Sequence, residues 1–334
     1  VGVLGMGFMG GTHTQAWQRV KATFNLAVDI EMKALFDMSD DSLALNGARY
    51  QFERTTKGWR NVCAADDIDV VSICTPNFAH LEATEMALAH GKHVWCEKPM
   101  ATSIADAERM TSLANDAKAR GLKTILGYNY IKSPTLLAIK QIIDEGVIGD
   151  IVHFNGVYAE DFMCDMDMPH SWRLTKAGGG KGALGDMGSH QVSMAIWLCG
   201  PIREVASRLQ TVHHQRPDMN TGEMKQVETD DQFSAIGTFD NGALFTLHTS
   251  WLGQGHKMPR GFEAFQPLFR KRHCAAMLAK VISHNDPAIN ERLLEVGRRP
   301  ARFQRRELAG EVLSDARGGD DLLGRHVLEQ HKLV

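Results

Sequence analysis

Val1-Gly2-Val3-Leu4-Gly5-Met6-Gly7-Phe8-Met9-Gly10 decides how the first part of this chain folds. The apolar run 1–5 is strand-like and ends in glycines. The stretch 14–21 that follows reads as a helix. Glycines at 5, 7 and 10 therefore stand between a strand and a helix. Gly5 permits a tight turn, Gly7 lets the backbone approach a pyrophosphate, and Gly10 allows the helix to pack closely on the strand. The helix N-terminus, with free N–H groups and the positive end of its dipole, faces the phosphates. A bare glycine pattern also suits a merely structural turn. Its place between strand and helix favours a dinucleotide site, with Gly5, Gly7, Phe8, Met9 and Gly10 as contacts.

Working outward, short apolar runs at 32–37, 70–74, 93–96 and 123–127 alternate with helical stretches at 79–90 and 103–120, which Gly91 and Gly121 stop. Strands alternating with helices of that length imply right-handed βαβ units and a parallel, doubly wound sheet. After residue 127 the pattern changes. Residues 134–145 and 188–199 read as helices and 151–158 as a strand with period-two character. The runs 232–239 and 243–251 alternate and are joined by Asp240-Asn241-Gly242, a strong hairpin signal. The expected architecture is α/β: a dinucleotide-binding domain at 1–127, then an α+β domain at 128–334 with an open, mainly antiparallel sheet.

At 334 residues, two domains are expected. A net charge of −3 asks for neither nucleic acid nor an anionic membrane as partner, and no apolar stretch is long enough to span a bilayer. The six cysteines, Cys63, Cys74, Cys96, Cys164, Cys199 and Cys274, form no C-x-x-C pair and read as reduced, mostly buried thiols of a cytoplasmic protein. No Cys/His spacing matches a metal site. The chain opens on Val1 inside an apolar run, so N-terminal residues are expected to be missing and an export signal stays open. From about Gln266 the tail is rich in Arg and His (Phe269-Arg270-Lys271-Arg272-His273, Arg298-Arg299, Arg305-Arg306) and reads as a solvated face.

Asp37 closes the second strand. A carboxylate there accepts hydrogen bonds from the adenosine ribose and repels a 2′-phosphate. Met38-Ser39-Asp40-Asp41 supplies no basic residue, which favours NAD over NADP. The bland alternative is a solvated strand-end acid.

Three further motifs accompany the glycine turn: Cys74-Thr75-Pro76-Asn77, Glu97-Lys98-Pro99 and Gly185-Asp186-Met187-Gly188-Ser189-His190. In this order and spacing, from Val1 to about Phe265, the chain resembles the glucose–fructose oxidoreductase/inositol dehydrogenase/rhizopine-catabolism family, Gfo/Idh/MocA. The resemblance implies a Rossmann domain followed by a domain whose open sheet mediates dimers or tetramers. It implies that Thr75, Pro76, Asn77 and His80 line the cofactor, that Glu97 reaches the nicotinamide ribose, that Lys98-Pro99 is a cis peptide, and that Asn129 lies beside the nicotinamide.

The family's chemistry supplies roles for the rest. Oxidising a secondary alcohol requires a base for the hydroxyl proton and stabilisation of the developing alkoxide as a hydride leaves carbon. Lys98 beside the alcohol oxygen would lower its pKa, His190 could take the proton, and Asp186 could hold a substrate hydroxyl or orient the histidine. Asp186 and His190 are four apart and face one way if their segment is helical. Trp172-Arg173 precedes the Gly178-Gly179-Gly180 loop, and Trp172 with Tyr130 suits the apolar face of a sugar ring. Each residue has a structural alternative: a helix cap for Asp186, a core histidine, a solvated lysine, packed aromatics.

Two departures stand out. Ser193 occupies a position that is often acidic in the family, and the arginine-rich tail replaces expected closing strands. The resulting expectation is an NAD-dependent dehydrogenase of a polyol, cyclitol or sugar. The alternatives are an NADP-retaining sugar–sugar oxidoreductase and a non-catalytic dinucleotide-sensing regulator.

Overall fold

Buried apolar residues on both faces of short strands demand cover from both sides, and the first 126 residues provide it. The computed structural model describes residues 1–256, Val147 excepted, and the backbone of 260–265. The first half runs β1 (Gly2–Leu4), α1 (Phe8–Phe24), β2 (Ala34–Phe36), α2 (Asp40–Arg49), β3 (Arg54–Thr56), α3 (Trp59–Ala64), β4 (Val70–Ile73), α4 (His80–Ala89), β5 (His93–Cys96), α5 (Ile104–Ala119) and β6 (Thr124–Leu126). The six strands lie in the order β3-β2-β1-β4-β5-β6, all parallel. The chain leaves β1 towards β2 on one side, and β4 pairs on the other. The turn after β1 thus sits at the topological switch point, where open α/β sheets bind ligands. Val3, Leu4, Leu35, Val71 and Ile73 are fully buried between the helical layers.

Helices α2 and α3 have no counterpart in the sequence expectation, and two further features also exceed it. Helix α1 begins at Phe8, not at residue 14, so it starts directly on the glycine turn. Strand β3 lies at the sheet edge; its pattern is exposed, exposed, half-buried, which leaves no apolar run to read.

The second half adds α6 (Pro134–Asp144), β7 (His153–Ala159), α7 (Lys176–Gly179), α8 (Ser189–Cys199), β8 (Ile202–Gln210), β9 (Gln215–Pro217), β10 (Met224–Gln226), β11 (Gln232–Phe239), β12 (Leu244–Ser250) and β13 (Arg260–Phe265). Five of these strands form one sheet, ordered β13-β7-β12-β11-β8. The β12–β7 pair is parallel and the other pairs are antiparallel. The hairpin forms as its turn dictates, with Gly242 at φ 85° and its N–H on the Phe239 carbonyl (2.9 Å). Phe154, Phe233, Ala235, Phe239, Phe245 and Leu247 line one face and pack under Leu136, Ile139, Met194, Ala195 and Leu198 of α6 and α8. The opposite face carries Ile236, Leu244 and Val157, all exposed.

Strand β8 is not recognisable in the sequence because it is an edge strand with nearly every side chain exposed. Among the described residues Cys63, Cys96 and Cys199 are buried and Cys74 and Cys164 half-buried, none of them in a disulfide. Cys274 and the arginine-rich tail lie outside the described residues. Among the described residues no helix is long and apolar enough to cross a membrane, and no group of three or more His, Cys, Asp or Glu is placed to hold a metal.

Candidate active site

The glycine turn is built for a ligand. Gly5 sits at φ 89°, and a Cβ there would lie 2.9 Å from the Cys74 carbonyl. A Cβ on Gly10 would stand 2.0 Å from the Gly5 carbonyl, so helix and turn meet only through glycine. Gly7 differs: no protein atom lies within 4 Å of where its Cβ would be. The fold does not require glycine at 7, whereas close approach of a phosphate does. Helix α1 has no side-chain cap and no acidic residue in its first turn, so its free N–H groups carry no competing negative charge. On the neighbouring loop, Thr75 Oγ1 is buried without a hydrogen-bond partner. These features fit a dinucleotide.

Asp37 is at the end of β2. Its Oδ2 accepts the Met6 N–H (2.8 Å) and its Oδ1 the Ser39 N–H (2.9 Å). The carboxylate is therefore fixed against the turn, and its remaining lone pairs are free for ribose hydroxyls. Replacing it with Ala is expected to narrow the preference for NAD over NADP by at least tenfold in kcat/KM, measured with both cofactors at saturating substrate.

The segment after β5 brings the two halves together. Glu97 is 5% exposed; its Oε1 lies 2.9 Å from His13 Nε2 and its Oε2 accepts the Lys98 N–H (3.2 Å). His13, from α1, is itself buried and stacks on Trp95 with ring centroids 3.7 Å apart. A Cβ on Gly127 would meet Glu97 Oε1 at 2.5 Å, so glycine there makes room for the carboxylate. Lys98-Pro99 is cis, as the family resemblance implies. His13→Leu is expected to weaken NAD binding about tenfold while leaving substrate KM at saturating NAD nearly unchanged, a split readable by titration of NADH fluorescence.

His80 stands differently from the expectation that it lines the cofactor. It is fully buried, with Nδ1 2.9 Å from the Pro99 carbonyl and Nε2 3.1 Å from the Thr75 carbonyl. Burial pushes its pKa down, and the two carbonyls pull it back only in part. The neutral ring has one N–H, so it donates to one of the two carbonyls while it packs between the two loops. Asn77 Nδ2 donates to the Gly179 carbonyl (3.1 Å), tying the loop after β4 to the glycine loop of the second half. Gly180, at φ 75°, abuts Thr102 so closely that a Cβ would lie 2.9 Å from its backbone.

Asp186 lies in a single π-turn, Leu184–Gly188, that runs into α8. It does not cap the helix. Lys98 Nζ donates to Asp186 Oδ1 (2.6 Å) and to the Asp186 carbonyl (2.9 Å), bridging the two halves. Burial alone would raise the Asp186 pKa; the Lys98 ammonium, with smaller help from Arg173 and His190, outweighs it and holds the carboxyl below its usual range. His190, one turn on, is 5% exposed. Its ring lies 4.2 Å from that of Tyr130 and 5.7 Å, edge-on, from that of Tyr128. Tyr130 also reaches the Tyr158 hydroxyl (3.3 Å). The Arg173 guanidinium lies over the Trp172 ring at 4.5 Å. Asn129 is exposed, opening the short helical turn Asn129–Lys132.

Four residues of this constellation are absent from the sequence reading. His13 stands three residues past Gly10, in the part of α1 that precedes the helical stretch read from the sequence. Tyr128 neighbours a predicted contact, and burial raises its phenol pKa. Asp230 is buried and accepts the Gly182 (3.0 Å) and Leu184 (2.8 Å) N–H groups, fixing the turn that carries Asp186. Trp251 donates its indole N–H to Asp186 Oδ2 (3.3 Å). Asp230 and Trp251 have no local signal; their partners are 46 or more residues away.

A Rossmann turn shaped for a dinucleotide, joined through a lysine–carboxylate bridge to a histidine, defines an NAD-dependent oxidoreductase. Comparison with known proteins narrows the class. Residues 1–123 match the family model described as "Oxidoreductase family, NAD-binding Rossmann fold", and residues 136–265 match the "GFO/IDH/MocA C-terminal domain". The chain belongs to the Gfo/Idh/MocA family and is a dehydrogenase acting on CH–OH groups. It is 32% identical over 276 residues to levoglucosan dehydrogenase of Pseudarthrobacter phenanthrenivorans, covering 79% of this chain and 70% of that one. A solved levoglucosan dehydrogenase in complex with NADH and L-sorbose superposes with a TM-score of 0.75 at 32% identity, covering 79% and 70% of the two chains. An NAD binding oxidoreductase from Klebsiella pneumoniae is 37% identical with a TM-score of 0.73, covering 79% and 69%.

Proposed function

We propose that this enzyme oxidises one secondary ring hydroxyl of a sugar or cyclitol to the ketone with NAD, and that an anhydropyranose of the levoglucosan kind is the first substrate to test. The observation that carries the reading is the Lys98–Asp186 bridge beside His190, set across the domain junction from the glycine turn. Similarity to levoglucosan dehydrogenase supports the substrate class.

The residues divide the work. NAD, when bound, supplies the hydride acceptor. Gly5, Gly7, Phe8, Met9 and Gly10 hold its pyrophosphate, Asp37 its adenosine ribose, and Thr75, Pro76, Asn77, Glu97 and Asn129 its nicotinamide half. Lys98 spends two ammonium donors on Asp186 and keeps a third for the substrate oxygen, where positive charge favours the alkoxide. Asp186, acceptor to Lys98 and held ionised, serves as a fixed anion rather than a base. His190 takes the hydroxyl proton. Tyr130 and Trp172 offer aromatic faces to the C–H side of a ring, and Arg173 donates to its hydroxyls. With the domain division set near residue 127, every cofactor contact but Asn129 lies before it and the substrate contacts lie after it, with Lys98 reaching across.

A panel of anhydrosugars, pyranoses and inositols assayed with NAD and NADP tests the reading. NADH formation with at least one ring polyol, and weaker turnover with NADP, is expected. NADH binding without turnover of any panel member would overturn the proposed activity.

We also infer a homodimer or homotetramer through the uncovered sheet face. Among the described residues that face presents Ile236, Leu244 and Val157 to solvent beside Thr238, Thr246 and Ser234, with no described helix over it. Light scattering is expected to give two or four times the chain mass, and Ile236→Lys to shift it to the monomer.

A further inference from the structure

We infer that Trp251 is a positioning residue of the active site, acting through Asp186; the inference rests on the proposed roles of Lys98 and Asp186. The carboxylate of Asp186 is held from two sides. Lys98 takes Oδ1, and the indole N–H of Trp251 takes Oδ2 at 3.3 Å. Two hydrogen bonds fix the plane of a carboxylate, where one leaves it free to rotate about its last torsion. With both oxygens engaged, Asp186 aims the Lys98 ammonium instead of following it.

Trp251 is itself held at every polar group. Its backbone N–H donates to the Asp231 carbonyl (2.9 Å), its carbonyl accepts the Met163 N–H (3.3 Å), and its indole N–H is spent on Asp186. The ring is 1% exposed and packs among Tyr158, Met163, Leu174, Ala183 and Met187, with the Phe162 ring edge-on at 5.7 Å. An apolar bicyclic side chain of the same shape would satisfy that packing without an N–H, so packing alone leaves the single polar contact unexplained. A buried indole N–H needs an acceptor, and here the acceptor is the carboxylate that pairs with Lys98.

Asp230 secures the same carboxylate from the main chain. It accepts the N–H groups of Gly182 and Leu184, and its own carbonyl accepts that of Ala183 (2.9 Å). A Cβ on Gly182 would stand 1.9 Å from the Asp230 carbonyl, so the two segments lie backbone to backbone. Asp230 thus fixes where the Asp186 backbone is, and Trp251 fixes how its side chain points.

The test compares wild type with Trp251→Phe and with Trp251→3-benzothienylalanine, which keeps the bicyclic shape and deletes only the N–H. Each is also made in the Asp186→Leu background, which removes both acceptor oxygens. Both variants are expected to lose about tenfold in kcat with the Kd for NADH unchanged. The thermal shift each causes is expected to shrink when Asp186 is Leu, a coupling that needs no turnover to measure. Thermal effects that simply add to those of Asp186→Leu, or full kcat in the benzothienyl variant, would overturn the role of Trp251. If wild type turns over no ring polyol while the thermal coupling is present, the proposed activity fails and the positioning contact stands.

Discussion

Lys98→Met is expected to reduce kcat/KM for ring-hydroxyl oxidation by about 10³-fold, with NADH binding retained. The substitution keeps the length of the side chain and removes the ammonium. Two consequences follow from its geometry. The substrate oxygen loses the positive neighbour that would stabilise its developing negative charge. Asp186 loses the partner that holds it ionised. With that partner gone, burial is the largest remaining influence, and the Asp186 pKa moves from below its usual value to above it.

The second consequence has a sign that can be measured. In wild type the folded-state pKa of Asp186 is depressed. The bridge therefore contributes stability above the unfolded carboxyl pKa of about 3.9, and loses it as pH falls through the folded value. In Lys98→Met the carboxylate is buried without its partner, which costs stability at neutral pH and is relieved by protonation. The stability gap between the two proteins should be widest near pH 7 and close as pH falls below about 4. Its size should lie below the about 3–5 kcal/mol of a fully buried pair, because the Asp186 side chain is 31% exposed. Denaturant unfolding at a series of pH values reads it. A gap that does not change with pH would mean that Lys98 and Asp186 are not coupled.

His190→Gln should lower kcat/KM at pH 7 by about 10²–10⁴-fold. Glutamine keeps a polar side chain between Tyr128 and Tyr130 but cannot accept the alcohol proton. The wild-type profile should rise with pH on its acid side as the histidine loses its proton. The variant should lack that limb and recover some rate at high pH, where hydroxide replaces the base. Retention of the same acid limb would assign the proton to another group. The Kd for NADH should be the same in both proteins, which separates loss of the base from loss of the cofactor site.

These residues differ in how far the sequence reveals them. The glycine turn is local: its three glycines, the strand before and the helix after lie within one short stretch, so spacing alone carries the inference. The hairpin at Asp240-Asn241-Gly242 is legible for the same reason, since the turn residues and the alternation beside them are adjacent in the chain. Strands β3 and β8 are not legible. Edge strands are half solvated, so nothing forces their side chains to alternate. Helix α1 also begins earlier than its polarity suggests, because glycine at 7 and 10 weakens local helix propensity while the packing of Gly10 on Gly5 demands the helix there.

The sequence by itself determined the Rossmann half, the place of the dinucleotide turn, the acid that closes β2, and, through four motifs in order, the family and its lysine, aspartate and histidine. Tertiary structure alone decided what holds those residues in place. It moved His80 from the cofactor surface to a buried place between two carbonyls. It put His13 behind Glu97, Asp230 under the turn of Asp186, and the indole of Trp251 on the far side of its carboxylate. The physical reason is range. A turn or a cap is written in neighbouring residues, because its hydrogen bonds close over a few positions. A supporting contact joins segments 65 or 84 residues apart, and it exists only once both sheets have packed and the buried donors must find acceptors.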